Sequence, residues 1–237
     1  MAQLQWHEAI EIVEVHTVRI MTPEVSGTGF LVSYAANGLI CVIATAAHVV
    51  NRAQYWEQPI RLEHKQTGKS LLLRSPDYAI FPDDRKDTAA IIFNKGDFPL
   101  PSEPLDLAPE KKMLKTGNEI GWVGFPAVSP SDLCFFSGRI SCRLKASDEY
   151  LVDGVAIHGV SGGPAFFIGG GKVTLIGVVS AYIANRATGE TLPGLSVVTN
   201  VVQFQELSKA FKSLEEAKES EAPPTPPNQG GETPNPL

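Results

Sequence analysis

The chain is short of cysteine, of strong charge and of long hydrophobic runs. Cys41, Cys134 and Cys142 are the only cysteines in 237 residues. An odd count excludes a fully paired disulfide framework. Cys41 sits in an apolar stretch and reads as a small buried residue, and Cys134 and Cys142 read as free thiols, the alternative being that they approach each other across a hairpin. The longest apolar run, Leu39 to Ala47, contains Thr45 and has the length of a strand. It falls far below the roughly 18 apolar residues of a membrane helix, so no membrane partner is expected. The amino end, Met1 to Glu8, has no basic segment leading into an apolar one, so no signal peptide is expected and the compartment is read as cytoplasmic. Net charge is −6, which argues against nucleic acid as a partner. His7, His16 and His64 have no Cys, Asp or Glu partners at ligand spacing, so no metal is predicted. Gly-x-x-x-x-Gly-Lys is absent, and no cofactor is expected.

What is present centres on Ala156-Ile157-His158-Gly159-Val160-Ser161-Gly162-Gly163-Pro164. Ser161 lies among residues with little side chain, so a carbonyl group can approach its hydroxyl. Gly159 and Gly162 can take backbone angles closed to other residues. The N–H groups of Gly159 and Ser161 could then share one small space, as an oxyanion hole requires. By itself the stretch reads equally well as a glycine-rich hairpin. A serine nucleophile also needs a base. Upstream, Ala44-Thr45-Ala46-Ala47-His48-Val49-Val50 places a histidine at the end of an apolar run. Between the two, Asp87-Thr88-Ala89-Ala90-Ile91-Ile92 opens another apolar run with an acid. Asp83 and Asp84 compete with Asp87, but only Asp87 directly precedes the run. The order histidine, aspartate, serine is one of several in which a triad is known.

On these three stretches the chain resembles the trypsin-like (chymotrypsin-fold) serine peptidases, and within them the HtrA-like group. Thr45-Ala46-Ala47-His48 resembles the family's histidine motif. Asp87-Thr88-Ala89 resembles its aspartate motif, with Thr88 in place of an aliphatic residue. Gly159 to Pro164 resembles its serine motif. The resemblance spans about residues 10 to 202. It implies a protein or peptide substrate and a catalytic set of His48, Asp87 and Ser161, with Gly159 and Ser161 forming the oxyanion hole. In digestive members an aspartate precedes the serine and pairs with a newly cut amino terminus. Val160 cannot form that ion pair, which implies a site that depends on its substrate or on an activating protein partner. Val155 stands where an aspartate selects basic residues, so the pocket floor is expected to be apolar. Val179-Ser180-Ala181-Tyr182 resembles the strand that lines the pocket wall and pairs with the substrate backbone. Asp153 is expected to be structural. His158 reads either as a half-exposed loop histidine or as a residue at the pocket mouth that tunes preference for acidic side chains.

Pattern along the chain predicts an all-β protein of two six-stranded antiparallel barrels with a terminal helix. Glu11 to Ile20 alternates and predicts a first strand. Ala46 to Ala53 predicts helical turns carrying His48. Ile60–His64 and Ser70–Arg74 predict a hairpin, and Tyr78–Phe81 and Ala89–Phe93 predict strands. Glu119–Pro126 follows a proline-rich connection. Leu133 to Arg143 predicts a hairpin centred on Ser137-Gly138. Pro164–Ile168 and Lys172–Tyr182 predict another, and Leu195–Val198 a last strand. From Val201 the period becomes helical. The organisation expected is therefore a first barrel over 1–100 carrying His48 and Asp87, a connection over 101–118, a second barrel with its helix over 119–219 carrying Ser161, and a disordered acidic proline-rich tail over 220–237. The function expected is a serine endopeptidase of restricted range. Its rivals are a non-catalytic binding module on the same fold and a serine esterase.

Overall fold

Trp6, Ala9, Ile10 and Val13 recur at intervals of three and four, which places them on one face of a helix. They form that face in α1 (Trp6–Glu14), whose start is fixed by the Gln5 N–H donating to Glu8 Oε2 at 2.7 Å. The structure, a computed structural model, describes residues 4–35, 38–109, 113–184 and 191–221. The helix corrects the expectation of a strand over Glu11 to Ile20, since only β1 (Thr17–Met21) is extended there. Its partners decide the matter: Trp6 packs 5.3 Å from the Phe135 ring and 5.8 Å from the Phe166 ring. Full burial stabilises by roughly 1.5–3 kcal/mol for a side chain such as Val13, and the partly buried Trp6 and Ile10 add a share of theirs. Both ring partners lie far along the chain, where local periodicity carries no trace of them.

The first half continues with β2 (Ser26–Tyr34), β3 (Ile40–Thr45), α2 (Ala47–Tyr55), β4 (Ile60–His64), β5 (Lys69–Leu73), β6 (Tyr78–Asp83) and β7 (Thr88–Asn94). These strands make one antiparallel sheet in the order β5-β4-β1-β2-β3-β7-β6. It has seven strands, where six and a closed barrel were expected. Among the described residues no ladder joins β5 to β6, so this half stays an open, curled sheet. The continuous apolar runs of β2, β3 and β7 have a simple cause. Successive side chains in a strand point to opposite faces, and here both faces are covered. Leu31, Cys41, Ile43, Ala89, Ile91 and Phe93 enter the core of the first half. Their neighbours Phe30, Val32, Val42, Ala44, Ala90 and Ile92 enter a second core between the halves.

The second half comprises β8 (Glu119–Gly124), β9 (Cys134–Leu144), β10 (Glu149–Asp153), β11 (Pro164–Gly169), β12 (Lys172–Ala184) and β13 (Thr191–Asn200), followed by α3 (Val202–Glu221). The strands close into a barrel in the order β10-β13-β12-β11-β8-β9. The expected hairpin at Ser137-Gly138 is absent: β9 runs straight through, paired with β8 on one side and β10 on the other. Gly138 marks a close approach and not a turn. A Cβ there would lie 2.2 Å from the Asp153 carbonyl oxygen. The last strand is longer than Leu195–Val198, because β12 offers it a long edge to pair with. Val123, Phe166, Leu175 and Val178 of this half meet the apolar face of the first, and that seam is covered by Ala9 and Val13 of α1, by Val201 just before α3 and by Phe204 within it. All three cysteines are free. No helix among the described residues is long and apolar enough to cross a membrane. The tail expected to be disordered falls, from residue 222 on, outside the described residues.

Candidate active site

Thr45 ends β3 inside the first core, and the chain turns at Ala46 into α2. Ala46 is the N-cap residue and has no side chain with which to cap the first turn. Asp87 supplies the acceptor: its Oδ1 takes the backbone N–H of His48 at 3.0 Å. A carboxylate is well placed at the amino end of a helix, where unpaired N–H groups carry partial positive charge. The same carboxylate meets the ring. His48 Nδ1 lies 2.8 Å from Asp87 Oδ2 and 3.0 Å from Oδ1. An ionised carboxylate only accepts, so Nδ1 carries the proton, and Nε2 of the neutral ring is left with its lone pair. Asp87 itself has φ +49, a left-handed conformation that aspartate tolerates better than most residues. Its neighbours are tied to the second half: the Thr199 hydroxyl donates to the Lys86 carbonyl at 3.1 Å, and Gln203 Nε2 donates to the Thr88 hydroxyl.

The serine loop leaves β10 and enters β11. Gly159 and Gly162 have φ +90 and +87. At Gly162 a Cβ would meet the Thr28 carbonyl oxygen at 2.0 Å, so both conformation and space require glycine. The loop is pinned to β12 by the Gly162 N–H donating to the Val179 carbonyl at 2.7 Å, and to β2 by the Thr28 N–H donating to the Ser161 carbonyl at 2.9 Å. The His158 carbonyl accepts the Ala127 N–H at 2.7 Å. In a trans peptide the C=O and N–H point in opposite directions, so the Gly159 N–H points away from Ala127. Neither it nor the Ser161 N–H has a hydrogen-bond partner among the described residues. Val160 is fully buried in the apolar core of the second barrel with Trp122, Ile176 and Val179.

His48, Gly159 and Ser161 line one cleft of about 340 Å³, together with Val25, Phe125 and Ala127. His158 lines it too. Val155 and Ser180 are not among the residues that line this cleft. Val155 is half exposed, and Ser180 is buried with its hydroxyl taken by that of Thr199 at 3.4 Å. Ala181 and Tyr182 belong to β12, opposite Val197 and Ser196 of β13, and their side chains lie outside the described residues. Among the described residues no three His, Cys, Asp or Glu side chains converge as a metal site needs. Sequence reasoning passed over Thr28, Thr199 and Gln203. Nothing local marks a residue whose partners sit in the other half of the chain.

Residues 27–178 match the family model described as the trypsin-like peptidase domain. No curated protein matches the chain. Among solved structures, a serine endoprotease from Yersinia pestis superposes with a TM-score of 0.64 at 16% identity, over 89% of this chain and 68% of that one. Rv3671c from M. tuberculosis H37Rv, in an inactive form, superposes at 0.58 with 17% identity, over 94% of this chain and 98% of that one. At such identities the likeness shows the fold. With the family match covering well over half of its length, the chain belongs to the trypsin-like peptidase domain family.

Proposed function

We propose that the protein is a serine endopeptidase that works through His48, Asp87 and Ser161. One observation carries the reading: the Asp87-bound imidazole of His48, the Ser161 hydroxyl and the glycine loop with two unpartnered N–H groups meet in one cleft. In this mechanism Ser161 Oγ attacks the scissile carbonyl and His48 Nε2 accepts its proton. The oxyanion forms against the N–H groups of Gly159 and Ser161. His48 then protonates the leaving amine, and an ester to Ser161 remains. Water, deprotonated by His48, hydrolyses that ester. Asp87 holds the ring in the tautomer that leaves Nε2 free and stabilises the imidazolium. The substrate backbone pairs with β12 at Ser180 to Tyr182, and the residue before the scissile bond enters an apolar pocket near Val155 with His158 at its mouth. Small to medium apolar residues are preferred there.

A second reading, in which an activating partner completes the site, has one observation in its favour. Among the described residues no hydrogen bond joins His48 to Ser161, although such contacts often tighten only around substrate. A fluorophosphonate probe separates the readings. Labelling of the wild type, lost in Ser161→Ala and His48→Ala, is the expected result. Labelling that appears only after addition of cell lysate supports the partner. A well-folded wild type that never labels sinks the peptidase proposal and leaves a binding module. Hydrolysis of ester but not of peptide libraries by a labelled protein makes it an esterase.

A further inference from the structure

We infer that the Thr28 hydroxyl is a positioning group that sets the orientation of the serine loop and thereby of the oxyanion donors. Thr28 lies on β2 in the first half and is fully buried. All its polar groups are engaged, and three of its four bonds cross the seam between the halves. Its N–H donates to the Ser161 carbonyl at 2.9 Å. Its hydroxyl accepts the Phe125 N–H at 3.0 Å and donates to the Gly159 carbonyl at 2.8 Å. A hydroxyl has one proton and spare lone pairs, so both bonds form at once. Its own carbonyl accepts the Thr45 hydroxyl at 2.7 Å, which ties the residue back to the end of β3 and so to His48.

The Gly159 carbonyl is the atom that matters. Two peptides flank Gly159, and each has its carbonyl fixed: that of His158 by the Ala127 N–H at 2.7 Å, and that of Gly159 by the Thr28 hydroxyl. With both planes fixed, the Gly159 N–H has one direction available at φ +90. Rotation of the loop breaks the Thr28 bond and leaves two polar groups unpaired, the part-buried Gly159 carbonyl and the buried Thr28 hydroxyl proton. Below the loop, Gly124 gives room to the same arrangement. A Cβ there would lie 2.9 Å from Thr28 Oγ1 and 2.9 Å from Val160 Cα. The loop is thus held by a neutral hydroxyl and a buried valine. The inference rests on the peptidase reading and makes the oxyanion loop of the free protein already set.

The test uses the full chain with Thr28→Val, which keeps the shape and removes the hydroxyl, and Thr28→Ser, which keeps the hydroxyl. Fluorophosphonate labelling rates are measured well below each variant's melting temperature, beside amide exchange at Phe125 and across the loop. Losing one whole oxyanion donor costs about 10²–10³ in rate, so a misaimed donor in Thr28→Val is expected to slow labelling by about 10- to 100-fold, with Thr28→Ser within about threefold of wild type. Peptide substrates then show the loss in kcat with KM nearly unchanged. Phe125 exchanges faster in Thr28→Val and is unchanged in Thr28→Ser. Wild-type labelling rates in folded Thr28→Val overturn the inference. Should the wild type itself fail to label, the peptidase reading falls, and exchange still decides: unchanged exchange in Thr28→Val then overturns the holding role.

Discussion

Val160→Ala removes the apolar anchor of the serine loop, and its effect can be worked from the packing. The side chain is fully buried among Trp122, Ile176 and Val179. Two methyl-sized groups leave an apolar site, at about 0.8 kcal/mol each, or roughly 1.6 kcal/mol of lost transfer energy. The surroundings are the interior of a closed barrel and relax little. A residual cavity of roughly 40 Å³ at about 24 cal/mol per Å³ adds about 1 kcal/mol. The sum, near 2.5 kcal/mol, corresponds to a fall of about 5–10 °C in melting temperature for a domain of this size. Thermal denaturation followed by near-ultraviolet circular dichroism measures it. Because the lost contact lies beneath the peptide between Gly159 and Ser161, fluorophosphonate labelling below the transition should fall as well. Val160→Asp sharpens the comparison: a carboxylate there has no cation among those neighbours and should cost several kcal/mol. A melting temperature for Val160→Ala within a degree of wild type, or a Val160→Asp protein as stable as Val160→Ala, would refute the account of a loop anchored by burial.

Gly162→Ala forces a side chain to within 2.0 Å of the Thr28 carbonyl at φ +87, and should cost roughly 3 kcal/mol or more, with labelling abolished. Gly170→Ala is its control: φ is +62 but the space is open, so only the conformational cost of roughly 1–2 kcal/mol is expected. Equal melting temperatures for the two variants would refute the steric argument. Burial pushes the Cys41 thiol up from 9.0 to about 12, with Lys95 and a backbone hydrogen bond opposing it only in part. Burial, helped by Cys41, likewise raises Tyr34 from 10.0 to about 12. Both groups hold their protons more tightly when folded, so stability is full below the unfolded values and is lost as pH rises from near 9.0 toward 12. Denaturant titrations from neutral to alkaline pH check this, and Cys41→Ala should flatten the first part of the decline. Iodoacetamide should reach Cys134 and Cys142, which are partly exposed, well before the buried Cys41. Alkylation of Cys41 at the same rate would refute its burial.

Much of this molecule is fixed by chemistry that neighbouring residues share. Strand alternation, glycine turns and the helical period after Val201 need only local sterics and local burial, and they placed most strands and α3. The spacing of motifs likewise singled out His48, Asp87 and Ser161 among several histidines, aspartates and serines. Where the sequence misled, a distant partner outweighed the local pattern. The Glu11–Ile20 alternation lost to a helix face covered by residues distant in the chain, Phe135 and Phe166 against Trp6 among them. Ser137-Gly138 has the composition of a turn, yet it runs straight because Asp153 of β10 comes up against Gly138. The first sheet stays open because no ladder joins β5 to β6 among the described residues, a matter of long-range pairing that composition does not encode. The site divides the same way. Residue identity determines which groups can carry a proton or accept a carbonyl. Tertiary structure alone decides that Asp87 both caps α2 and holds the His48 ring, and that Thr28 from one half reaches Gly159 in the other. Such bonds join residues far apart in the chain, and their directions depend on how two separately formed sheets meet.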